Sequence, residues 1–228
     1  MELYHILNRG VEKRNLFVDK KDFARFVHDL YEFNDVRPAG STYYNFEKNL
    51  DLRNPDMGGK KRERIIDLHG WCLMKNHYHL LLSERREGGL SLFLRKLNVG
   101  YANYFNERYR RSGTLFQGRT KKILIDSHPH SLYILNYIHL NPLDYFKGAE
   151  HWRERDKSGI QNAKRALNYL QTYRWSSYLD YCGVSNVPSI LTKGLYRDLL
   201  GNYPEAVAAY LADVEFDSLN SLKNLTLE

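Results

Sequence analysis

Two histidines one residue apart sit in the stretch KNHYHLLL, residues 75–82. Successive strand side chains point to opposite faces, so His77 and His79 would share a face while Tyr78 points away. Imidazole nitrogens bind divalent metals, and an i, i+2 pair on a strand aims both rings at one point. Two histidines leave a metal undersubscribed, so a third ligand has to come from elsewhere. Alone, the pair is more simply read as two hydrogen-bonded imidazoles at a strand edge.

A partner is found in LYILNYIHLNPLD, residues 132–144. At 3.6 residues per turn, Tyr137 and Asn141 stand one above the other on a helix. His139, two positions from each, points to nearly the opposite side and is a weak candidate for a general base. Leu135 and Ile138 form a neighbouring stripe suited to packing on a sheet, and Pro142 ends the helix after Asn141. One helix end thus offers a phenol and a carbonyl oxygen that could reach a metal held by His77 and His79. Tyr137 by itself carries little weight, because the chain has 18 tyrosines. The combination is what points to chemistry.

The elements that must position these groups follow from periodicity. YHILNRG (4–10) reads as a strand, and a helix opens at Asp19 with Phe23, Phe26, Val27, Leu30 and Tyr31 at helical spacing. Residues 37–64 lose periodicity and read as an insertion ending in Lys60, Lys61, Arg62 and Arg64. Strands over 65–74 and 77–84 follow, joined by Lys75-Asn76. A helix from Ser91 to about Tyr109 comes next, then a strand over 120–126. The tyrosine helix follows, capped by Asp126 or Ser127 with Pro129 in its first turn. The order is ferredoxin-like βαββαβ, an α+β fold with an antiparallel sheet and helices on one face, plus an appended helix carrying the tyrosine. Residues 1–146 form this core. Residues 147–228 read as a mainly helical extension, with helices near 161–171, 193–200 and 204–213 and a weakly patterned tail from Phe216.

Composition narrows the class. The 228 residues carry a formal net charge of +7 and 14% aromatics, which favours a polyanionic partner. Arg108, Arg110, Arg111, Arg119, Lys121 and Lys122 cluster among aromatic residues in 101–122, and Arg9 stands near the end of the first strand with Lys13 and Arg14 beyond it. These nine cations are the candidates for DNA phosphate contacts. Tyr101, Tyr104 and Phe105 read as core rings. Two distant cysteines, Cys72 and Cys182, suggest a reduced, cytoplasmic setting rather than a disulfide framework. No run of about 18 apolar residues suggests a membrane span, and MELYHILNRG lacks a signal-peptide layout.

Four ordered blocks then carry a resemblance: NHYHLLL (76–82), GTLFQGR (113–119), YIHLNP (137–142) and WSSY (175–178), with HILNRG (5–10) before them. The chain resembles the single-tyrosine HUH transposases of the IS200-like superfamily, and most closely their REP-associated branch. The resemblance spans most of residues 4–181 and implies the same ferredoxin-like core. It implies Tyr137 as the nucleophile that cleaves a DNA phosphodiester, leaving a 5′-phosphotyrosine link and a free 3′-hydroxyl. It implies His77 and His79 as ligands of Mg²⁺ or Mn²⁺, with Asn141 as the third. Hairpin-containing single-stranded DNA would be the substrate, handled by a monomer or a homodimer, and nucleoid association would follow from binding it. Two departures from the family pattern are Lys75, where proline is common, and Tyr78, an amphipathic choice between the histidines.

Three readings follow. The first is an active single-strand nuclease and strand-transferase. The second is a hairpin-binding module without cleavage. The third is a zinc protein using the two histidines, which lacks a cysteine pair and the closed four-ligand set of structural zinc.

Overall fold

The structure is a computed structural model that describes residues 2–39, 62–149, 152–153, 160, 162–196 and 202–212, without the side chains of 128 and 129. Most of the expected insertion, Lys60 and Lys61 included, and the tail from Phe216 lie outside these residues. The elements run β1 (Leu3–Arg9), α1 (Lys20–Glu32), β2 (Ile66–Met74), β3 (His77–Glu84), α2 (Gly89–Arg108), β4 (Lys121–Ile125) and α3 (His128–Leu140). The order of strands and helices is the one expected from the sequence. The four strands form one sheet in the order β2-β3-β1-β4, each neighbouring pair antiparallel. Beyond it come α4 (Ala163–Thr172), α5 (Tyr178–Tyr181), a 3₁₀ turn at Lys193–Tyr196 and α6 (Tyr203–Ala212).

Local signals account for these boundaries. The Asp19 carboxylate caps α1 by accepting from the amides of Lys21 and Asp22, at 2.9 and 3.2 Å. At α3, Ser127 occupies the cap position but makes no side-chain cap bond, and Pro129 lies in the first turn. Asp126 instead accepts from His130 Nδ1 at 2.7 Å. Lys75 and Asn76 form the two-residue turn of the β2–β3 hairpin.

Alternation along the strands divides the core into two layers. Ile6, Trp71, Leu73, Tyr78, Leu80 and Leu82 face α1 and α2. Leu3, Cys72, Met74, Leu81 and Ile125 face α3, where they meet Ile134, Leu135 and Ile138. Complete burial of Leu135 and Ile138 stabilises the α3 contact by roughly 1.5–3 kcal/mol each. Gly70 on β2 permits that contact, because a Cβ there would stand 2.7 Å from Leu135 Cδ1.

The WSSY block completes β2. The Leu73 amide donates to the Trp175 carbonyl and the Ser177 amide to the Trp71 carbonyl, both at 2.9 Å. The Trp71 amide donates to Ser177 Oγ at 2.9 Å. Residues 175–177 thereby cover part of the outer edge of β2, which would otherwise present unpaired backbone groups. Tyr178 is buried behind them, and Trp175 stacks on Phe23 with ring centroids 4.9 Å apart.

Candidate active site

Register brings His77 and His79 to the α3 side of β3, opposite Arg9 and Leu7 of β1 and Met74 and Cys72 of β2. Both are buried, and their ring centroids lie 5.0 Å apart. His77 Nδ1 stands 2.7 Å from Asn76 Oδ1. A carbonyl oxygen only accepts, so Nδ1 carries the proton, and in the neutral ring Nε2 is the nitrogen with the lone pair. His79 Nδ1 stands 3.0 Å from Nε2 of His5, and the two rings stack. When His79 donates in that pair, its Nε2 has the lone pair too. A partner behind each ligating imidazole is what orients it toward a metal.

His5 is the member that sequence reasoning missed. It lies in β1, one strand from His79 and diagonal to it, and is fully buried. The available signal was its parity: His5 and Leu7 share a face, and Leu7 pairs with His79.

Tyr137 reaches this cluster from α3. Its ring is edge-on to His79 at 5.7 Å and to His5 at 6.0 Å between centroids. The helix and the histidines belong to one chain. Tyr137 is only 3% exposed, because Trp152 packs at 5.7 Å and the Arg153 guanidinium lies 5.8 Å from its ring centre. Asn141 is fully buried, one turn beyond Tyr137. Its Nδ2 donates to the Tyr137 carbonyl at 2.8 Å, and its Oδ1 accepts from Arg153 Nη2 at 2.9 Å. Arg153 forms an ion pair with Asp144, which also accepts from Trp152 Nε1 at 2.7 Å. Asp144 therefore fastens the pair of residues that covers Tyr137 and holds the Asn141 oxygen.

The donor set suits a divalent cation with open positions. Among the described residues no three histidine, cysteine or acidic side chains converge as a metal cage. The two imidazoles would need neutral oxygens, from a carboxamide, water or a phosphate, to complete a coordination shell.

His139 lies on the far side of α3 and anchors it. Nδ1 and Nε2 stand 2.6 and 2.7 Å from Tyr203 Oη and Ser177 Oγ. Burial alone pushes its pKa down to about 3, so the ring is neutral. Its contacts are with α5, α6 and the WSSY block, and it plays no part in the cluster around Tyr137.

The nine cations proposed for DNA divide. Arg108 is held by Asp19 at 2.6 Å and Asp22 at 2.5 Å. Asp22, fully buried, also accepts from Tyr104, Tyr109 and the Val18 amide. Arg108 neutralises this carboxylate and is held in a structural ion-pair network. Arg111 donates to Asn106 Oδ1 at 2.5 Å and the Thr114 carbonyl at 3.0 Å, so it too is engaged in its own loop. Lys13, Arg14, Arg110, Arg119, Lys121 and Lys122 are exposed, and Arg9 is half-buried. Nearer the insertion, Arg62 lies 3.6 Å over the Tyr31 ring and Arg64 bonds Thr192 at 3.2 Å.

No protein-family model matches the chain, and no curated protein does. Among solved structures, a REP-associated tyrosine transposase bound to a REP hairpin is similar, with a TM-score of 0.51 and 10% identity. The match covers 84% of this chain and 85% of that one. At this identity the likeness is one of fold: a four-stranded antiparallel sheet with helices. No helix among the described residues is long and apolar enough to cross a membrane.

Proposed function

We propose that this chain is a single-tyrosine endonuclease and strand-transferase of the HUH transposase class, built on a ferredoxin-like sheet and acting on hairpin-containing single-stranded DNA. The observation that carries the reading is the meeting of Tyr137 with the His77–His79 face: its ring lies 5.7 Å from that of His79, 58 positions away in the chain. Convergence of a phenol with two imidazoles on one buried face has a direct use in phosphoryl transfer.

His77 and His79 would hold Mg²⁺ or Mn²⁺, and Asn141 would join them when its oxygen exchanges Arg153 for the cation. A bound cation supplies charge neutralisation at the non-bridging oxygens of the scissile phosphate. The Tyr137 oxygen attacks phosphorus as the bond to the 3′ oxygen breaks. The phenol proton passes to solvent and the departing 3′ oxygen takes one up. A 5′-phosphotyrosine and a 3′-hydroxyl result, and attack by another 3′-hydroxyl reverses the step and joins strands without ATP. His5 and Asn76 hold the two imidazoles in orientation. Trp152 and Arg153 must lift for the phosphate to arrive, since they cover Tyr137. The active site is self-contained, with α3 serving its own chain.

A hairpin-binding protein without cleavage is the second reading. It is favoured by one observation: the Asn141 oxygen accepts from Arg153.

The test uses 5′- and 3′-labelled single-stranded hairpins from the DNA flanking the gene, incubated with protein and Mg²⁺ or Mn²⁺ and run on a denaturing gel. The expected product is a labelled protein band that requires metal, vanishes in Tyr137→Phe and falls in His77→Ala. Cleavage retained by Tyr137→Phe would reassign the nucleophile, with Tyr133 next. Native-gel binding without a covalent band under either metal would establish the second reading.

A further inference from the structure

The cover over Tyr137 holds a full positive charge where an apolar side chain would close the site as well. The Arg153 guanidinium lies 4.4 Å from the centre of the Trp152 ring and 5.8 Å from that of Tyr137. Its Nη1 donates to one oxygen of Asp144, and its Nη2 to the other at 2.9 Å. Nη2 also donates to Asn141 Oδ1 at 2.9 Å. The Arg153 and Asp144 side chains are 31% and 28% exposed. An ion pair in contact with water contributes little to stability, so holding the cover shut does not account for an arginine at this place.

The position of Asn141 Oδ1 does account for it. This fully buried oxygen has two claimants, the Arg153 guanidinium in the structure and the cation in the proposed reaction. Asn141 Nδ2 is held by the Tyr137 carbonyl at 2.8 Å, which keeps Oδ1 turned toward the guanidinium. A cation at about 2.1 Å from Oδ1, as for Mg²⁺, would stand within about 5 Å of Nη2 if the arginine stayed in place. Two positive centres at that separation repel, and an anion between them relieves the repulsion.

The scissile phosphodiester is such an anion, and its non-bridging oxygens gather charge as the Tyr137 oxygen attacks. Arginine suits it for a geometric reason. The planar fork donates in several fixed directions. Asp144 takes the two parallel bonds, and the remaining Nη2 hydrogen, now on Asn141, is the one that can change acceptor. The guanidinium therefore turns to a phosphate without leaving Asp144.

We infer that Arg153 is a catalytic residue of strand transfer: as the cation takes Asn141 Oδ1, Arg153 Nη2 passes its hydrogen bond to a non-bridging oxygen of the scissile phosphate. Asp144 is its positioning residue and the pivot on which the cover lifts. The inference rests on the nuclease reading and adds to it a second positive group whose release is linked to metal binding. No bond to Arg153 forms or breaks. The bond from the Tyr137 oxygen to phosphorus forms as that to the 3′ oxygen breaks, with the protons going as given above. In the joining direction the guanidinium serves the same phosphate oxygens.

The experiment follows single-turnover adduct formation on the labelled hairpins across a Mn²⁺ titration, with wild type, Arg153→Ala, Arg153→Lys and Asp144→Asn. In Arg153→Ala the saturating rate should fall about 100-fold, the effect of losing one donor to a developing oxyanion. The half-maximal Mn²⁺ concentration should fall as well, so that rate and metal affinity move in opposite directions. Guanidinium chloride, at concentrations that leave the wild-type fold and rate unchanged, should restore the Arg153→Ala rate severalfold. Arg153→Lys keeps the charge but not the fork and should lie between wild type and Arg153→Ala. Asp144→Asn should slow wild type about tenfold. In the Arg153→Ala background it should change the saturating rate by less than about twofold, because the group it positions is gone. An Arg153→Ala saturating rate within about twofold of wild type would make the arginine a latch alone and overturn the inference. Metal-dependent attachment through Tyr137 would in that case still uphold the nuclease reading. A rate loss that guanidinium leaves untouched and that Arg153→Lys shares in full would equally overturn the inference, since a disordered cover gives that pattern. Wild type without an adduct would remove the nuclease reading, and the inference with it.

Discussion

Replacing His139 with glutamine tests how the tyrosine helix is held. The ring is fully buried between Ser177 and Tyr203, and burial lowers its pKa to about 3. In the unfolded chain the group has its ordinary value near 6.5. The folded form is therefore the one that refuses the proton. At pH 7.5 neither state is protonated and titration contributes nothing. As pH falls below about 6.5 the unfolded chain takes up a proton that the folded chain excludes, so stability declines until about pH 3. At about 1.4 kcal/mol per pH unit, the loss at pH 5 is about 2 kcal/mol. Urea unfolding at pH 7.5 and pH 5.0 measures it in both proteins. Other buried histidines such as His69 titrate in both and cancel. The variant starts lower at pH 7.5, because a hydrogen-bonded group has been replaced. Between the two pH values it should lose about 2 kcal/mol less than wild type. Equal losses, within about 0.5 kcal/mol, would mean that His139 accepts a proton in the folded protein and that the dry anchor described above is wrong.

Two further outcomes test the same half of the molecule. Gly70→Ala forces a methyl against Leu135 Cδ1 at 2.7 Å and should cost about 1–3 kcal/mol, a fall in Tm of several degrees by thermal unfolding. Leu135→Ala alone should cost about 2–5 kcal/mol, and the double variant should fall short of the sum by about 1 kcal/mol or more. Strict additivity would show that the two do not meet. Arg153→Ala releases the Asn141 oxygen from a charge-assisted hydrogen bond, worth about 1.5–3 kcal/mol. The Mn²⁺ concentration for half-maximal covalent adduct should then fall on the order of tenfold. A rise would mean that Arg153 presents Asn141 to the metal rather than withholding it.

What was legible in the sequence and what was not follows from the range of the contacts. The shared face of His77 and His79 is a matter of period two, and the stacking of Tyr137 over Asn141 a matter of period 3.6; both are local and both are present in the structure. The packing stripe of Leu135 and Ile138 was legible for the same reason. His5 was not, because its place beside His79 depends on the β1–β3 register, a pairing across 74 positions. Arg108 looked like a surface cation because its partners, Asp19 and Asp22, lie 89 and 86 positions earlier. The cover over Tyr137 was illegible too: Trp152 and Arg153 stand in a polar stretch with no period, and Asp144 fixes them through side chains alone.

Tyr78 gives the two faces of the sheet a common element. Its place between two histidines looked like a departure from a simple hydrophobic position. Strand parity explains it, since the side chain that alternates with the two imidazoles must enter the other layer of the core. There it packs at 4.9 Å against Phe26 and 6.1 Å from Phe116, and its hydroxyl donates to Asn98. Burial raises its pKa, so the phenol stays protonated and remains a donor. A phenylalanine would fill the same space but leave the Asn98 oxygen without that donor, while a smaller residue would open the layer. Three consecutive residues of β3 thus divide their work by face. His77 and His79 furnish the metal-facing nitrogens proposed on one side, and on the other Tyr78 braces Asn98, which donates to Thr120 at 2.9 Å. Any shift of β3 register by one residue would exchange these roles and destroy both arrangements together. The sheet, through this one strand, is what obliges the imidazole pair and the Asn98–Thr120 network to be built as a unit.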